Sequence, residues 1–463
     1  MLFSSFSFLF LFLPLVLGGY YILPKIYRNL FLLISSIVFY GWDKPQLVLL
    51  LTLVIFINFL GGIIIANVKN NHKKWLLTFV VLNIACLAYF KYTNFLVDSF
   101  NIITQSSWKI DNIVLPLGIS FYIFQTMSYL IDVYRKECPA QENFIDFMLY
   151  ISFFPQLIAG PIIKYHEIAE QIENRKETFS LFYYGIRRFV IGLAKKVLIA
   201  NTLGLTVDKI FALPVTSFGT DVAWLGVIFY ALQIYYDFSG YADMAIGLGA
   251  MFGFKIPENF NYPFLSKSYT EFWRRWHISL GTWAKEYIYI PLGGSRCSQI
   301  KNYFNLFTVF FIIGIWHGAD MNMIMLGIYN GVVVVIEKMC NWANVKQHKF
   351  SIIIHHLYMI PVLTIAFLFL RSPALTYTKD YLLNMASSIN VNSNINIMTY
   401  LNNYMLLIFC IACIFAFPIS KNILHIKGKA KNTIINLSLV VLFCLSVISL
   451  LTSSYNPFIY FRF

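Results

Sequence analysis

Two histidines stand in stretches where an imidazole is costly to keep. His317 closes an apolar run that begins near Tyr303, within FIIGIWHGAD (Phe311 to Asp320), and Gly314 and Gly318 flank it. An ionisable ring at membrane depth usually faces a cavity, a partner or a reaction, and a neutral imidazole is a common general base. The glycines let a backbone or a ligand come close. The competing reading is a ring hydrogen-bonded between packed helices. His277 lies on the edge of an aromatic stripe in FWRRWHISLGTWAKEYIYIPLGGSR (Phe272 to Arg296), where a functional role and a plain membrane-surface position both fit. Asp237 and Asp243 carry charge in an apolar, glycine-rich run, so each needs a partner or water.

Other candidates carry less chemistry. Cys410 and Cys413 form a CxxC inside LLIFCIACIF. Zinc takes about four ligands and no second pair stands nearby, so these read as packing thiols and no metal is expected. Gly247, Gly249 and Gly253 miss the spacing of a dinucleotide loop, and no strand precedes them. The GxxxG of Gly249 and Gly253 suits a tight helix contact instead. His72 reads as solvated, and His348, His355 and His356 as loop and helix-end residues.

The elements that position these residues are membrane helices. The chain has 463 residues, of which 59% are hydrophobic and 12% charged. No soluble core absorbs that much apolar surface, so the fold class is an all-α polytopic membrane protein. At about 20 residues per crossing, the apolar runs allow roughly eleven to twelve transmembrane helices, some of them re-entrant. The net charge of +14 is spread over short clusters between runs, which is the signature of cytoplasmic loops and not of a nucleic-acid surface.

The N-terminal run reads as a first span rather than a signal peptide. Lys25 and Arg28 follow it, which places Met1 outside the cytoplasm; the basic turn Lys69 to Lys74 is again cytoplasmic. A polar connection is expected from Asp98 to Asn112. In residues 113–134, Pro116 and Gly118 break the run, and Gln125, Ser128 and Asp132 share one helical face turned to the interior. FFPQLIAGPIIKYHE (Phe153 to Glu167) is too broken by Pro155, Gly160 and Pro161 for a simple span and reads as re-entrant. Trp273, Trp276, Leu280, Trp283 and Tyr287 recur at steps of three and four, with basic residues around them, as in an interfacial helix. Arg371 to Asn396 reads as an extracytoplasmic connection. The basic loop KNILHIKGKAK leaves the tail, residues 454–463, on the same outer side as Met1.

Six stretches in order resemble the membrane-bound O-acyltransferase family, in its bacterial alginate O-acetyltransferase-like branch. They are LPLGISFYIFQTMSYLIDVYR, FFPQLIAGPI, YYDFSGYADMAIGLG, PENFNYPF, FWRRWHISLGTWAKEYIYIPLGGSR and GIWHG, and FLRSP extends the likeness. Gly281 and Ala284-Lys285-Glu286 depart mildly from the branch's usual residues. The resemblance implies one membrane-embedded acyltransferase domain over 1–463, with a motif-bearing core at about 113–336 and helices around a central tunnel. It makes His317 the catalytic histidine and His277 its functional partner. The tail NPFIYFRF reads by composition as an interfacial anchor. It also resembles a C-terminal aromatic motif of envelope acylation systems, by which Tyr460 would accept the acyl group in transit.

The same resemblance implies acetyl transfer from a cytoplasmic thioester, acetyl-CoA, across a bacterial inner membrane. The group would pass to an SGNH-type or similar extracytoplasmic O-acetyltransferase partner and so to a polysaccharide. D-alanyl transfer to teichoic acid and a transporter or flippase without bond chemistry stand as alternatives; broken helices suit a transporter equally well.

Overall fold

Gly118 (φ 74°) and Gly253 (φ 85°) take left-handed backbone that side-chain-bearing residues rarely adopt, and each lies next to a helix end. The computed structural model describes residues 1–111, 113–342, 349–386, 395–418 and 429–459. It is helical throughout: among the described residues there are two isolated bridges, Phe218 with Ile395 and Phe260 with Trp276, and no longer strand. Among the described residues six helical runs are long and apolar enough to cross a membrane, and Ser7–Ile22 and Asn403–Phe415 are shorter apolar helices. The other expected crossings fold as helices that are shorter or more polar, so the expected eleven to twelve spans are not matched one for one.

The chain forms two compact units. Unit 1 comprises Met1–Phe189 and Tyr241–Glu258. Its helices are α1 (Leu13–Ile22), α2 (Lys25–Gly41), α3 (Gln46–Asn67), α4 (His72–Thr104), α5 (Ile119–Arg135), α6 (Phe144–Ser152), α7 (Phe154–Leu157), α8 (Tyr165–Asn174) and the first part of α9 (Phe179–Ala194). α4 runs 33 residues and ends at Thr104, inside the polar connection expected after Val97. Asn58 of α3 and Asn83 of α4 exchange side-chain hydrogen bonds, and Thr126 of α5 donates to Asn83 at 3.1 Å. Buried amides satisfied in this way tie three helices together without leaving an orphaned group. Gln125, Ser128 and Asp132 are all buried, as their common face requires. Asp132 meets the His166 ring at 2.9 Å. The Phe153 stretch gives the single turn α7 and then a buried, non-helical passage to Lys164.

Unit 2 comprises Val190–Gly240 and Asn259–Phe463. It holds the end of α9, then α10 (Asn201–Phe211), most of α11 (Thr220–Met251), α12 (Tyr269–Arg275), α13 (Ile278–Ala284), α14 (Gln299–His317) and α15 (Met321–Met339). α16 (Lys349–Arg371), α17 (Leu375–Ala386), α18 (Asn403–Phe415) and α19 (Lys429–Thr452) complete it. α17 occupies a stretch expected to be a plain connection. A Cβ on Gly314 of α14 would overlap Gly327 of α15, so the two backbones cross in direct contact. Small residues at such a crossing are the usual condition for close helix approach.

Two sequence expectations change here. The tight contact of the α11 glycines is made by Gly247, whose Cβ would lie 2.6 Å from the Gly185 carbonyl within unit 1. Gly249 and Gly253 serve the turn that ends α11: Gly249 faces Ile256, and Gly253 lies beyond the helix. The expected interfacial helix is also corrected. It is two short helices, α12 and α13, broken at Trp276 and His277, with Trp276, Leu280, Trp283 and Tyr287 buried. Phe272 and Trp276 stack at 5.4 Å and both pack on Phe367. Trp273 is half-buried, and the rest of that stripe is packed inside the unit.

Candidate functional site

His317 is the last residue of α14, and Ser298 and Asp320 cap the helices on either side of the hairpin through side-chain oxygens. Its Nδ1 lies 2.8 Å from the Ile313 carbonyl. A carbonyl can only accept, so Nδ1 carries the hydrogen and the neutral ring keeps its lone pair on Nε2. The ring is half-buried. An imidazole fixed through Nδ1 to the backbone presents Nε2 as its acceptor atom, the orientation that a general base needs.

His277 forms the break between α12 and α13, with φ 48°, a left-handed conformation that is rare away from glycine. Strained backbone of this kind is often found at functional positions. The residue is 1% exposed, which excludes the membrane-surface reading. Burial, and after it the neighbouring His317, push its pKa well below the usual imidazole value, so the ring is held neutral. The edge of Phe238 packs on it at 4.7 Å and 90°.

Trp316 joins the two histidines. Its indole lies 4.9 Å from the His317 ring and 6.4 Å from the His277 ring. Asn259 supports His277, and the sequence reading did not single it out. Its backbone carbonyl accepts from Ile278 N at 3.0 Å, and Asn261 N donates to Arg275 O at 2.9 Å, which locks PENF against the α12–α13 break. The Asn259 Oδ1 accepts from Ser279 N and Oγ and meets His277 Nδ1 at 3.3 Å. The backbone donor fixes which end of the amide is oxygen. Nδ2 is thus a buried donor without a hydrogen-bond partner among the described residues. An orphaned buried amide normally implies water or a ligand. Its only sequence signal was its place in PENFNYPF.

The acidic candidates separate. Asp237 in unit 2 pairs with the Lys196 ammonium at 2.6 Å. Asp243 in unit 1 pairs with Arg188 at 2.7 Å, and Arg188 also holds Glu258. Both carboxylates have the partners their burial demands. His355, read from sequence as a loop or helix-end residue, is buried with Nδ1 2.9 Å from the Lys267 carbonyl. Cys410 and Cys413 are free thiols. Among the described residues, Asp132, Glu137 and His166 are the side chains grouped closely enough to hold a metal, all in unit 1.

Tyr460 lies outside the described residues. The described residues end at Ile459, and Phe458 and Ile459 are buried within unit 2, with Ile459 in its hydrophobic core. An anchor lying flat at an interface would leave them open, so that reading does not hold for this part of the tail.

The helical membrane fold and the two adjacent imidazoles are those of a membrane-embedded enzyme. Residues 36–369 match the model of MBOAT, the membrane-bound O-acyltransferase family. The chain belongs to that family and is an O-acyltransferase. It is 46% identical over 360 residues to a "Probable alginate O-acetylase" of Pseudomonas syringae pv. tomato, covering 76% of this chain and 69% of that protein. The corresponding protein of Pseudomonas aeruginosa is 48% identical over 345 residues, 73% of this chain and 66% of its own length. A "Peptidoglycan O-acetyltransferase" of Helicobacter pylori is 36% identical over 382 residues, 75% of this chain and 72% of that protein.

Proposed function

We propose that this protein moves an acetyl group from a cytoplasmic thioester, acetyl-CoA, to an acceptor hydroxyl on the far side of a bacterial inner membrane, for O-acetylation of a cell-envelope or exported polysaccharide. The similar proteins named for alginate and peptidoglycan acetylation support a polysaccharide as the final acceptor. The observation that carries the reading is the His317 ring, whose Nδ1 is tied to the Ile313 carbonyl, so that Nε2 is the acceptor nitrogen.

In this scheme Nε2 of His317 takes the proton of the attacking hydroxyl as its oxygen bonds to the acetyl carbon. The carbon–sulfur bond then breaks, and the proton passes to the departing thiolate. The products are an acetyl ester and free CoA. His277, kept neutral, orients the donor or tunes His317. The acceptor hydroxyl is that of Tyr460, from which the acetyl group passes to an SGNH-type extracytoplasmic transferase. Both chain termini then lie on the extracytoplasmic side.

His317→Ala should abolish polymer acetylation in cells while the protein still inserts and folds. Labelled acetyl-CoA given to purified wild-type protein should be hydrolysed or should label the protein. Retained polymer acetylation in the variant removes the catalytic role, and an inert thioester removes the donor.

A further inference from the structure

The last described residues are gripped from inside unit 2. After α19 ends at Thr452, the Tyr455 hydroxyl donates to Asp208 Oδ2 at 2.7 Å, and the other oxygen of Asp208 meets Arg371 at 2.7 Å. Asn201 Nδ2 donates to Asn456 Oδ1 at 3.1 Å. The Lys196 ammonium donates to the Pro457 carbonyl and, at 2.7 Å, to Asn201 Oδ1. The Ile459 amide donates to Asp237 Oδ2 at 2.8 Å. The other oxygen of Asp237 is the one paired with Lys196 at 2.6 Å, and both side chains are no more than 3% exposed.

This arrangement has a specific consequence. A buried ion pair is expensive unless its remaining donors and acceptors are satisfied. Here two of those partners are main-chain groups of the tail, a carbonyl at 457 and an amide at 459. Main-chain contacts of opposite polarity two residues apart fix the register of the segment that makes them. Tyr460 follows Ile459 directly in the sequence. The anchor point is also close to the histidines: Phe238, the residue after Asp237 on α11, is the one packed on His277.

We propose that Lys196 and Asp237 form a clamp that registers the C-terminal tail and so positions Tyr460 to receive the acyl group. They are positioning residues, with no contact to the reacting atoms. The inference rests on Tyr460 being the acceptor, and it adds what seats it: two buried charges whose hydrogen bonds the tail completes.

The test uses the full-length protein in nanodiscs. Hydrogen exchange of the peptide covering residues 453–463 reads the clamp. Acetyl on Tyr460 after exposure to labelled acetyl-CoA, together with polymer acetylation in cells, reads its purpose. The double variant Lys196→Met with Asp237→Leu removes the pair without stranding a buried charge. The swap Lys196→Asp with Asp237→Lys restores a pair but reverses the polarity offered to Pro457 and Ile459. Both should speed tail exchange at least tenfold and lower acetyl-Tyr460 and polymer acetylation at least tenfold. Should either core variant fail to fold, Tyr455→Phe with Asn456→Ala loosens the tail from its own side and leaves both charges in place. Tail exchange as slow as wild type in the swap overturns the clamp, and so does wild-type acetylation with a loosened tail. A fully active Tyr460→Phe instead overturns the acceptor reading, while the exchange data still decide whether the clamp holds the tail.

Discussion

At the scale of single residues, the site depends on which atom each polar group presents. Ile313 takes the Nδ1 hydrogen of His317, and Asn259 meets Nδ1 of His277. Asn259 is the residue whose role is least visible and most exposed to test. Replacing it with alanine removes the acceptor shared by Ser279 and His277 and leaves the Ser279 amide buried without it. An unmade buried hydrogen bond costs about 1–3 kcal/mol, and a misplaced catalytic group can lose about 10²-fold in rate. Asn259→Ala should therefore lower acetyl transfer by about 10²-fold, with a modest drop in thermal midpoint. Unchanged transfer, measured beside a thermal scan of the same preparation, would mean that His277 needs no such support.

At the scale of elements, the placing of His317 depends on how α14 crosses α15. His317 is one turn beyond Gly314, the residue in direct contact with Gly327. A methyl group at that point meets backbone, which cannot rotate away as a side chain can. Overpacking of this kind costs about 1–3 kcal/mol, and the relief available is separation of the helix ends that carry the imidazole. Gly314→Ala should lower both thermal stability and acetyl transfer. Gly281→Ala, where the nearest atom is a backbone oxygen at 3.6 Å, should be tolerated by comparison. Equal behaviour of the two variants would show that the crossing does not set the site.

At the scale of the whole molecule, the arrangement of charge makes a statement about orientation. The basic turn Lys69 to Lys74 should face the cytoplasm and the segment before Tyr460 the opposite side, by the excess of Lys and Arg in cytoplasmic loops. In a variant without native cysteines, a single cysteine at Asn70 should be protected from an impermeant thiol reagent in intact cells. One at Ser454 should react. The opposite pattern would invert the proposed direction of transfer.

The sequence by itself determined the membrane class and the helical fold, and it singled out His317 and His277 as the candidate site residues. These follow from composition, from apolar run length and from motifs contained within a few residues. It also placed Gln125, Ser128 and Asp132 on a buried face, because helical periodicity is a local property. Tertiary structure decided the rest. It buried the aromatic stripe, moved the close glycine contact to Gly247, and set the two histidines against one indole. It also revealed Asn259, and the Lys196–Asp237 pair holding the tail. Those partners are far apart in the chain: Asp237 and Ile459 are separated by 222 residues, and Lys196 and Pro457 by 261. A buried charge announces that it needs a partner, but only the folded chain shows which one satisfies it.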